Sequence, residues 1–175
     1  MLLGNPVGTQ RNPIRILLVD DNVVFRAGLR ALLERRRGFR VVGEAGRGED
    51  AVACATTTRP HVVVMDLLMP GGGGLEATRR IVALGSGARV LVLTVIPERR
   101  QLLEALEAGA AGFVEKAGPV EELARDIRAV ARGGFFLGPD AAKLVVLQRY
   151  GRERRNEHRP ASGDLGRSAH THEQP

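Results

Sequence analysis

Residues 61–74 have the sequence HVVVMDLLMPGGGG, a short apolar run followed by a carboxylate and a glycine-rich break. Its short apolar run, rich in β-branched valine, is typical of a strand buried on both faces, as in a parallel sheet. The run ends at Asp66, and Pro70 and four glycines then break the chain. In open α/β sheets ligands bind at the carboxyl ends of the strands. We therefore interpret Asp66 as a candidate phosphorylatable carboxylate.

Similar short apolar runs occur four more times, and each is followed by an amphipathic segment. This alternation predicts parallel βαβ units with right-handed crossovers and helices on both faces of the sheet. The predicted fold is therefore α/β, with a five-stranded parallel sheet. The five predicted strands cover residues 14–19, 40–45, 62–65, 90–93 and 112–114.

Helical periodicity also predicts which side chains face the core. In the first helix we expect Phe25, Leu29 and Leu32 to point inward and Arg26 to point away. In the third helix we expect Leu75, Thr78 and Val82 to be the core-facing set.

Composition limits the possible classes of protein. The 175 residues are 43% hydrophobic and carry a formal net charge of +6. The basic balance favours an acidic partner or nucleic acid without establishing either. The single cysteine, Cys54, excludes an internal disulfide and fits a reducing compartment. No apolar run approaches the ~20 residues of a membrane helix. We predict a cytoplasmic protein with no membrane association.

The chain divides into four predicted regions. Residues 1–13 are expected to be a disordered leader, and residues 14–137 form the folded domain. Residues 138–150 are expected to form a linker helix. Residues 151–175 are rich in charge, Ser, Gly and Pro, and this composition predicts a disordered basic tail.

Polar residues follow four of the predicted strands. Asp20 and Asp21 follow the first strand, Asp66 the third, Thr94 the fourth and Lys116 the fifth. Because the carboxyl ends of parallel strands lie at one edge of the sheet, these residues should meet in one crevice. Each feature alone has an ordinary explanation, such as a helix cap for Asp20 and Asp21. Their joint occurrence, in the right order, favours a functional site.

The residue types in this set indicate phosphoryl transfer. Three clustered carboxylates repel one another unless a cation is present, and hard oxygen ligands suit Mg²⁺. Lys116 would add a fixed positive charge, and Thr94 would add a neutral hydroxyl donor. Phosphoryl transfer requires mainly positioning and charge stabilisation, and aspartate is an accepted nucleophile for it.

The chain resembles the receiver domains of two-component response regulators, most closely those of the NarL/FixJ subfamily. The resemblance spans residues 14–137 and implies a flavodoxin-like (βα)5 fold. The segments that carry it are residues 16–21 (ILLVDD), 42–45 (VGEA), 65–70 (MDLLMP), 74–77 (GLEA), 91–94 (LVLT) and 109–116 (GAAGFVEK).

The resemblance implies that Asp66 accepts a phosphoryl group from the phosphohistidine of a sensor histidine kinase. It also implies a Mg²⁺ site made by the carboxylates of Asp20, Asp21 and Asp66 with the backbone carbonyl of Leu68. Thr94 and Phe113 would form a switch pair, in which Phe113 turns inward after phosphorylation. The surface formed by the fourth helix, fifth strand and fifth helix would then change shape. We expect no substrate turnover beyond self-catalysed aspartyl phosphorylation and dephosphorylation.

The region after residue 137 differs from the family pattern. NarL/FixJ regulators continue into a C-terminal helix-turn-helix domain, and no such motif follows here, so this chain alone does not support DNA binding. The alternatives are a single-domain receiver, a truncated transcriptional regulator, or a phosphorylation-independent interaction module that acts as a homodimer. DNA binding through the basic tail is also left open. An aspartyl-phosphate phosphatase would need an Asp-x-Asp motif that begins at Asp66. Leu68 stands in place of the second aspartate, so this pattern is missing.

Two apolar residues predict a long-lived phosphorylated state. Leu68 and Ile96 lie two residues after Asp66 and Thr94, at positions that flank the acyl phosphate in receivers. Neither side chain can position an attacking water, and both should exclude solvent.

Overall fold

The computed structural model describes residues 8, 12–70, 73–95 and 99–144. They form a parallel sheet whose helices cover both faces, in the strand order β2-β1-β3-β4-β5-β6. The strands are β1 Ile14–Val19, β2 Phe39–Ala45, β3 Val62–Met65, β4 Arg89–Thr94, β5 Gly112–Glu115 and β6 Phe136–Leu137. The helices are α1 Val23–Glu34, α2 Gly48–Thr58, α3 Gly73–Ala83, α4 Arg99–Glu107 and α5 Val120–Ala131.

The predicted α/β class, the parallel sheet and the five strand–helix units are confirmed, but the prediction of five strands is wrong by one. The sixth strand, β6, has only two residues and pairs with β5. Phe136 N–H donates to the carbonyl of Ala111, and Gly138 N–H donates to the carbonyl of Phe113. A two-residue apolar run is too short to produce a period-2 signal, so only the pairing with β5 identifies it as a strand.

The sheet is buried on both faces because its strands are almost entirely apolar. On one face, side chains of alternate strand residues pack against α2, α3 and α4. On the other face, the remaining strand side chains pack against α1 and α5. All four residues of β3 are buried, as the valine run predicts. This central strand therefore delivers Asp66 to the carboxyl edge of a rigid core.

In two helices, one residue of the predicted core-facing set is wrong. In α1, Leu33 is fully buried, whereas Leu32 is 47% exposed. In α3, Ile81 is buried, whereas Val82 is 37% exposed. Adjacent leucine, isoleucine and valine residues satisfy helical periodicity in either register, so the sequence pattern could not choose between them.

The start of α3 packs directly against the backbone of the β3–α3 loop. A Cβ at Gly74 would lie 2.3 Å from the carbonyl oxygen of Asp66 and 2.8 Å from Cα of Leu67. Only glycine permits this close approach. Gly74 therefore belongs to the first turn of a packed helix, where its missing side chain lets α3 support the loop that carries Asp66.

The structure describes only residues 138–144 of the predicted linker helix. Residues 139–144 are helical, and Ala141 is buried in the same core cluster as Phe113. The rest of the predicted linker helix, residues 145–150, lies outside the described residues, as do residues 151–175 and most of residues 1–11. Among the described residues, every helix is too short or too polar to cross a membrane.

The corrected register of α1 makes a stability prediction. Leu33→Ala should lower the free energy of unfolding by about 3 kcal/mol, because it leaves a cavity in a close-packed core. Leu32→Ala, one residue away, should cost under about 1 kcal/mol because its side chain is half exposed. Urea unfolding followed by circular dichroism measures both values. Equal losses in the two variants would contradict the assigned helix register.

His61 makes folding stability depend on pH. Its side-chain Nδ1 accepts a hydrogen bond from the main-chain N–H of Arg15 at 3.0 Å, and its main-chain N–H donates to the carbonyl of Arg15. Burial and the neighbouring positive charge of Arg15 lower the pKa of His61 below its ordinary value of 6.5. The unfolded chain therefore binds the proton more readily, and stability should fall as the pH falls below about 6.5.

The His61→Asn variant tests this dependence, since the amide oxygen can still accept the bond from Arg15. We expect the free energy of unfolding of the wild type to fall relative to that of His61→Asn between about pH 7 and pH 5. All other titratable groups contribute equally to the free energy of unfolding in both proteins, so the difference between them reports on His61 alone. Parallel pH profiles would show that His61 is not the responsible group.

Candidate functional site

The carboxyl edge of the sheet brings together the five predicted polar residues. Asp20 and Asp21 follow β1, and Asp66 follows β3, whose last residue pairs with Val19. Thr94 ends β4, and its carbonyl accepts a hydrogen bond from the N–H of Lys116, at 2.6 Å. The four strand ends thus form one site in the middle of the sheet.

Lys116 links two buried carboxylates. Its Nζ lies 2.6 Å from Oδ2 of Asp20 and 2.7 Å from Oδ2 of Asp66. The two aspartates are only 4% and 3% exposed. Burial lowers the pKa of Lys116, but the hydrogen bonds to Asp20 and Asp66 outweigh it, so the pKa lies above its usual value. Lys116 therefore stays cationic at neutral pH.

Backbone donors fix the second oxygen of each buried carboxylate. Oδ1 of Asp20 accepts a hydrogen bond from Asn22 N–H, and Oδ1 of Asp66 accepts one from Leu68 N–H, both at 2.9 Å. Asn22 also caps α1, because its side chain accepts a bond from Phe25 N–H. The positions of both carboxylates are thus set before any ligand binds.

The three acidic side chains suit a divalent cation. Asp20, Asp21 and Asp66 each offer a carboxylate oxygen, and these ligand atoms lie within 4.8 Å of one another. Asp20 and Asp66 are buried, whereas Asp21 is exposed to solvent. A cluster of hard oxygens with one open side fits Mg²⁺, which keeps several of its waters. The site is therefore an acidic pocket with the donor set that Mg²⁺ requires.

Thr94 and Phe113 lie beside this pocket on neighbouring strands. The Thr94 side chain is fully buried, and its Oγ1 has no hydrogen-bond partner among the described residues. Such an orphaned hydroxyl is costly to bury and suits a site that receives a polar group. Phe113 is fully buried within the core, so its ring already points inward in this structure.

Leu68 and Ile96 were predicted to flank the site. The Leu68 side chain is 48% exposed beside Asp66. Ile96 lies outside the described residues.

Two residues near the site were missed by the sequence reasoning. Lys116 Nζ lies 5.0 Å from the centre of the Phe25 ring, within cation–π range. Arg26, predicted to point away from the core, instead donates to the backbone carbonyl of Asp20 and to Glu44. The opposite charges of Arg26 and Glu44 were a possible signal, but only the pairing of β1 with β2 brings them together.

The comparisons with known proteins agree with this architecture. Residues 16–128 match the family described as Response regulator receiver domain. The chain is 42% identical over 134 residues to the response regulator UvrY of Escherichia coli (strain K12), which covers 77% of this chain. It is 38% identical over 137 residues to the response regulator GacA of Pseudomonas aeruginosa, which covers 78% of this chain. The chain spans only 62% and 64% of the lengths of these two relatives.

The chain is also similar to a solved structure of a response regulator. The crystal structure of a two-component response regulator of the LuxR family from Aurantimonas sp. SI85-9A1 is 41% identical, with a TM-score of 0.74. The similarity covers 79% of this chain and 99% of that one. The match to the family extends from β1 to α5 and includes every residue of the carboxyl-edge site. The chain therefore belongs to the response regulator receiver domain family.

Proposed function

We propose that this receiver accepts a phosphoryl group on Asp66 from the phosphohistidine of a sensor histidine kinase. The observation that carries the proposal is the position of Lys116, whose Nζ contacts the buried carboxylates of Asp20 and Asp66 together. A fixed cation beside a buried nucleophile, at the ligand-binding edge of the sheet, is what phosphoryl transfer to a carboxylate requires.

In this reaction a carboxylate oxygen of Asp66 attacks the phosphorus of the donor. The new O–P bond forms as the N–P bond breaks, and the imidazole nitrogen keeps the electron pair. With a proton on its other ring nitrogen, the imidazole leaves as a neutral ring. Lys116 stabilises the negative charge of the phosphoryl oxygens, and its raised pKa keeps it protonated throughout. Catalysis therefore rests on positioning and electrostatics, without a proton transfer by the protein.

The carboxylates of Asp20, Asp21 and Asp66, with the backbone carbonyl of Leu68, would hold Mg²⁺. When bound, the ion neutralises the charge that the phosphoryl group brings to an acidic pocket. The support for this site is the clustering of the three ligand oxygens and their open side. The exposed Asp21 lies where a hydrated ion can approach from solvent.

Thr94 and Phe113 form the proposed switch. The orphaned Thr94 hydroxyl would donate to a phosphoryl oxygen on Asp66, which gives it the partner it lacks among the described residues. Its movement would repack the buried Phe113 ring and change the surface formed by α4, β5 and α5. This is a local charge event that biases a two-state element.

Acetyl phosphate tests the proposal directly. We expect the wild-type protein to incorporate phosphate in the presence of Mg²⁺, and to lose incorporation when the metal is chelated. Asp66→Asn should abolish incorporation. Asp126→Asn is a matched control, because Asp126 is as deeply buried as Asp66 (4% and 3% exposed) but lies on α5, outside the site. Absence of phosphate uptake by folded wild-type protein, or persistence in Asp66→Asn, would overturn the proposal.

Leu68 should control the lifetime of the phosphorylated state. Leu68→Asn introduces a polar group that can orient an attacking water beside Asp66, so we expect faster loss of the phosphoryl group. The measurement is the decay of phosphorylated protein after removal of the donor, with Leu84→Asn as an exposed control on the opposite edge of the sheet. Slower decay in Leu68→Asn would contradict this role.

A further inference from the structure

Arg26 connects the candidate site to the neighbouring strand. Arg26 is the fourth residue of α1, and its side chain is only 14% exposed. The Nη1 atom donates to the main-chain carbonyl of Asp20, and Nε donates to Oε2 of Glu44 at 3.2 Å. One guanidinium group therefore bonds to the end of β1 and to β2 at the same time.

Glu44 is itself held in place. It pairs with Leu18 in the register of β1 and β2, and its Oε1 accepts a hydrogen bond from Arg30 at 2.7 Å. The hydrogen bonds from Arg30 and Arg26 outweigh partial burial and lower the pKa of Glu44 below its usual range. Glu44 is therefore ionised at neutral pH and provides a fixed anchor for Arg26.

The carbonyl that Arg26 binds has a special place in the site. It belongs to the peptide bond that joins Asp20 to Asp21, and this bond is planar. Asp20 N–H already donates to the carbonyl of Ala45 at 3.0 Å. Fixing the next carbonyl therefore sets the orientation of the peptide plane, and with it the directions in which the two carboxylates leave the main chain.

We propose that Arg26, anchored by Glu44, is a positioning residue that orients Asp20 and Asp21 for binding of a divalent cation. This inference rests on the proposed metal site at Asp20, Asp21 and Asp66. Residues that orient metal ligands from outside the coordination sphere commonly contribute about tenfold or more to metal affinity.

The sign of the effect separates positioning from simple electrostatics. Arg26 carries a positive charge close to the acidic pocket, so by Coulomb's law alone its removal would tighten the binding of Mg²⁺. If Arg26 acts by orienting the ligands, its removal weakens binding. The two causes therefore predict opposite changes in the same measured constant.

The experiment is titration of the metal-free full chain with Mg²⁺ by isothermal calorimetry. We expect Arg26→Met to weaken Mg²⁺ binding about tenfold. Arg30→Met is the matched control, because it removes the same charge from the same helix and the same Glu44 but leaves the bond to Asp20. Arg30→Met should bind Mg²⁺ within about twofold of wild type, by the small effect of an exposed ion pair. Binding by Arg26→Met as tight as or tighter than wild type overturns the proposal.

Arg26→Lys provides a second test if Arg26→Met does not fold. Its ammonium keeps the charge but has a single donor centre, so it cannot span the Asp20 carbonyl and Glu44 as the guanidinium does. We expect severalfold weaker Mg²⁺ binding. Wild-type affinity in this variant would show that the two bonds of the guanidinium, to Asp20 and to Glu44, do not position the metal ligands.

A phosphorylation assay distinguishes positioning from a general loss of structure. The Mg²⁺ concentration for half-maximal phosphorylation by acetyl phosphate should rise in Arg26→Lys, while the rate at saturating Mg²⁺ stays near that of wild type. A lower maximal rate with unchanged half-saturation would count against the proposal. If wild-type protein binds Mg²⁺ but takes up no phosphate, the proposed function fails while the affinity comparison still decides the role of Arg26.

Discussion

Lys116→Met should lower the free energy of unfolding by about 3 kcal/mol in metal-free buffer at neutral pH. The substitution keeps most of the apolar stem but removes the cation that Asp20 and Asp66 share. Two carboxylates that are at least 95% buried would then face each other and Asp21 without compensation. Breaking a buried ion pair in this way is far more costly than removing an exposed one.

Urea unfolding with a chelator present measures this loss, and Lys143→Met is the matched control. Lys143 also pairs with an aspartate, Asp140, at 2.8 Å, but its side chain is 72% exposed. We expect no measurable loss of stability in Lys143→Met, because this ion pair is exposed to solvent. Added Mg²⁺ should recover part of the loss in Lys116→Met, because an ion that binds the folded state stabilises it. Equal effects of the two substitutions would mean that the buried cation has no special role.

Phe113→Ala is the second substitution for which we expect a large effect, a loss of about 4 kcal/mol. Phe113 is the largest fully buried side chain among the described residues, and it lies on β5 between β4 and β6. Removing its ring leaves a cavity beneath the site, with the α2, α3 and α4 face of the core around it. The close packing of the interior gives the neighbouring side chains little freedom to fill that space.

Phe135→Ala is the control for Phe113→Ala, since it deletes the same ring from a side chain that is 57% exposed. We expect this variant to lose under about 1 kcal/mol. Thermal or urea unfolding of the three proteins in the same buffer gives the comparison. A loss below about 1 kcal/mol for Phe113→Ala would show that the ring is not part of the packed core.

The outline of the fold could be predicted from the sequence because its strands are short, apolar and separated by clear breaks. The run before Asp66 has no polar residue, so only a strand covered on both faces can bury it. The helix faces were harder to predict. Leu32 and Leu33 are equally apolar, and the packing of α1 against the sheet, not the pattern, selects Leu33. The same ambiguity explains the error at Val82.

The site could be predicted to the extent that it depends on strand ends. Asp20, Asp66, Thr94 and Lys116 each occupy the end of a strand, and topology alone brings them to one edge. The residues that hold these side chains in place depend on how the strands are aligned with one another, which the sequence does not show. Arg26 reaches Glu44 only because β2 pairs with β1 so that Glu44 lies beside Leu18.

The sixth strand is a further feature that tertiary contacts determine. β6 pairs with β5, and Gly138 N–H bonds to the carbonyl of Phe113 at 2.8 Å. The strand that carries Phe113 and leads to Lys116 is therefore bonded directly to the segment that begins the helical residues 139–144. This places the C-terminal segment next to the proposed switch.

Mapping the phosphorylated residue is the most direct test of Asp66 as the phosphoryl acceptor. The protein is incubated with acetyl phosphate and Mg²⁺, the acyl phosphate is reduced with borohydride, and the modified peptide is identified by tandem mass spectrometry. We expect a single modified side chain, Asp66, in the peptide that contains Met65 to Pro70. Modification of a different aspartate in the folded wild-type protein, or none at all, would contradict it.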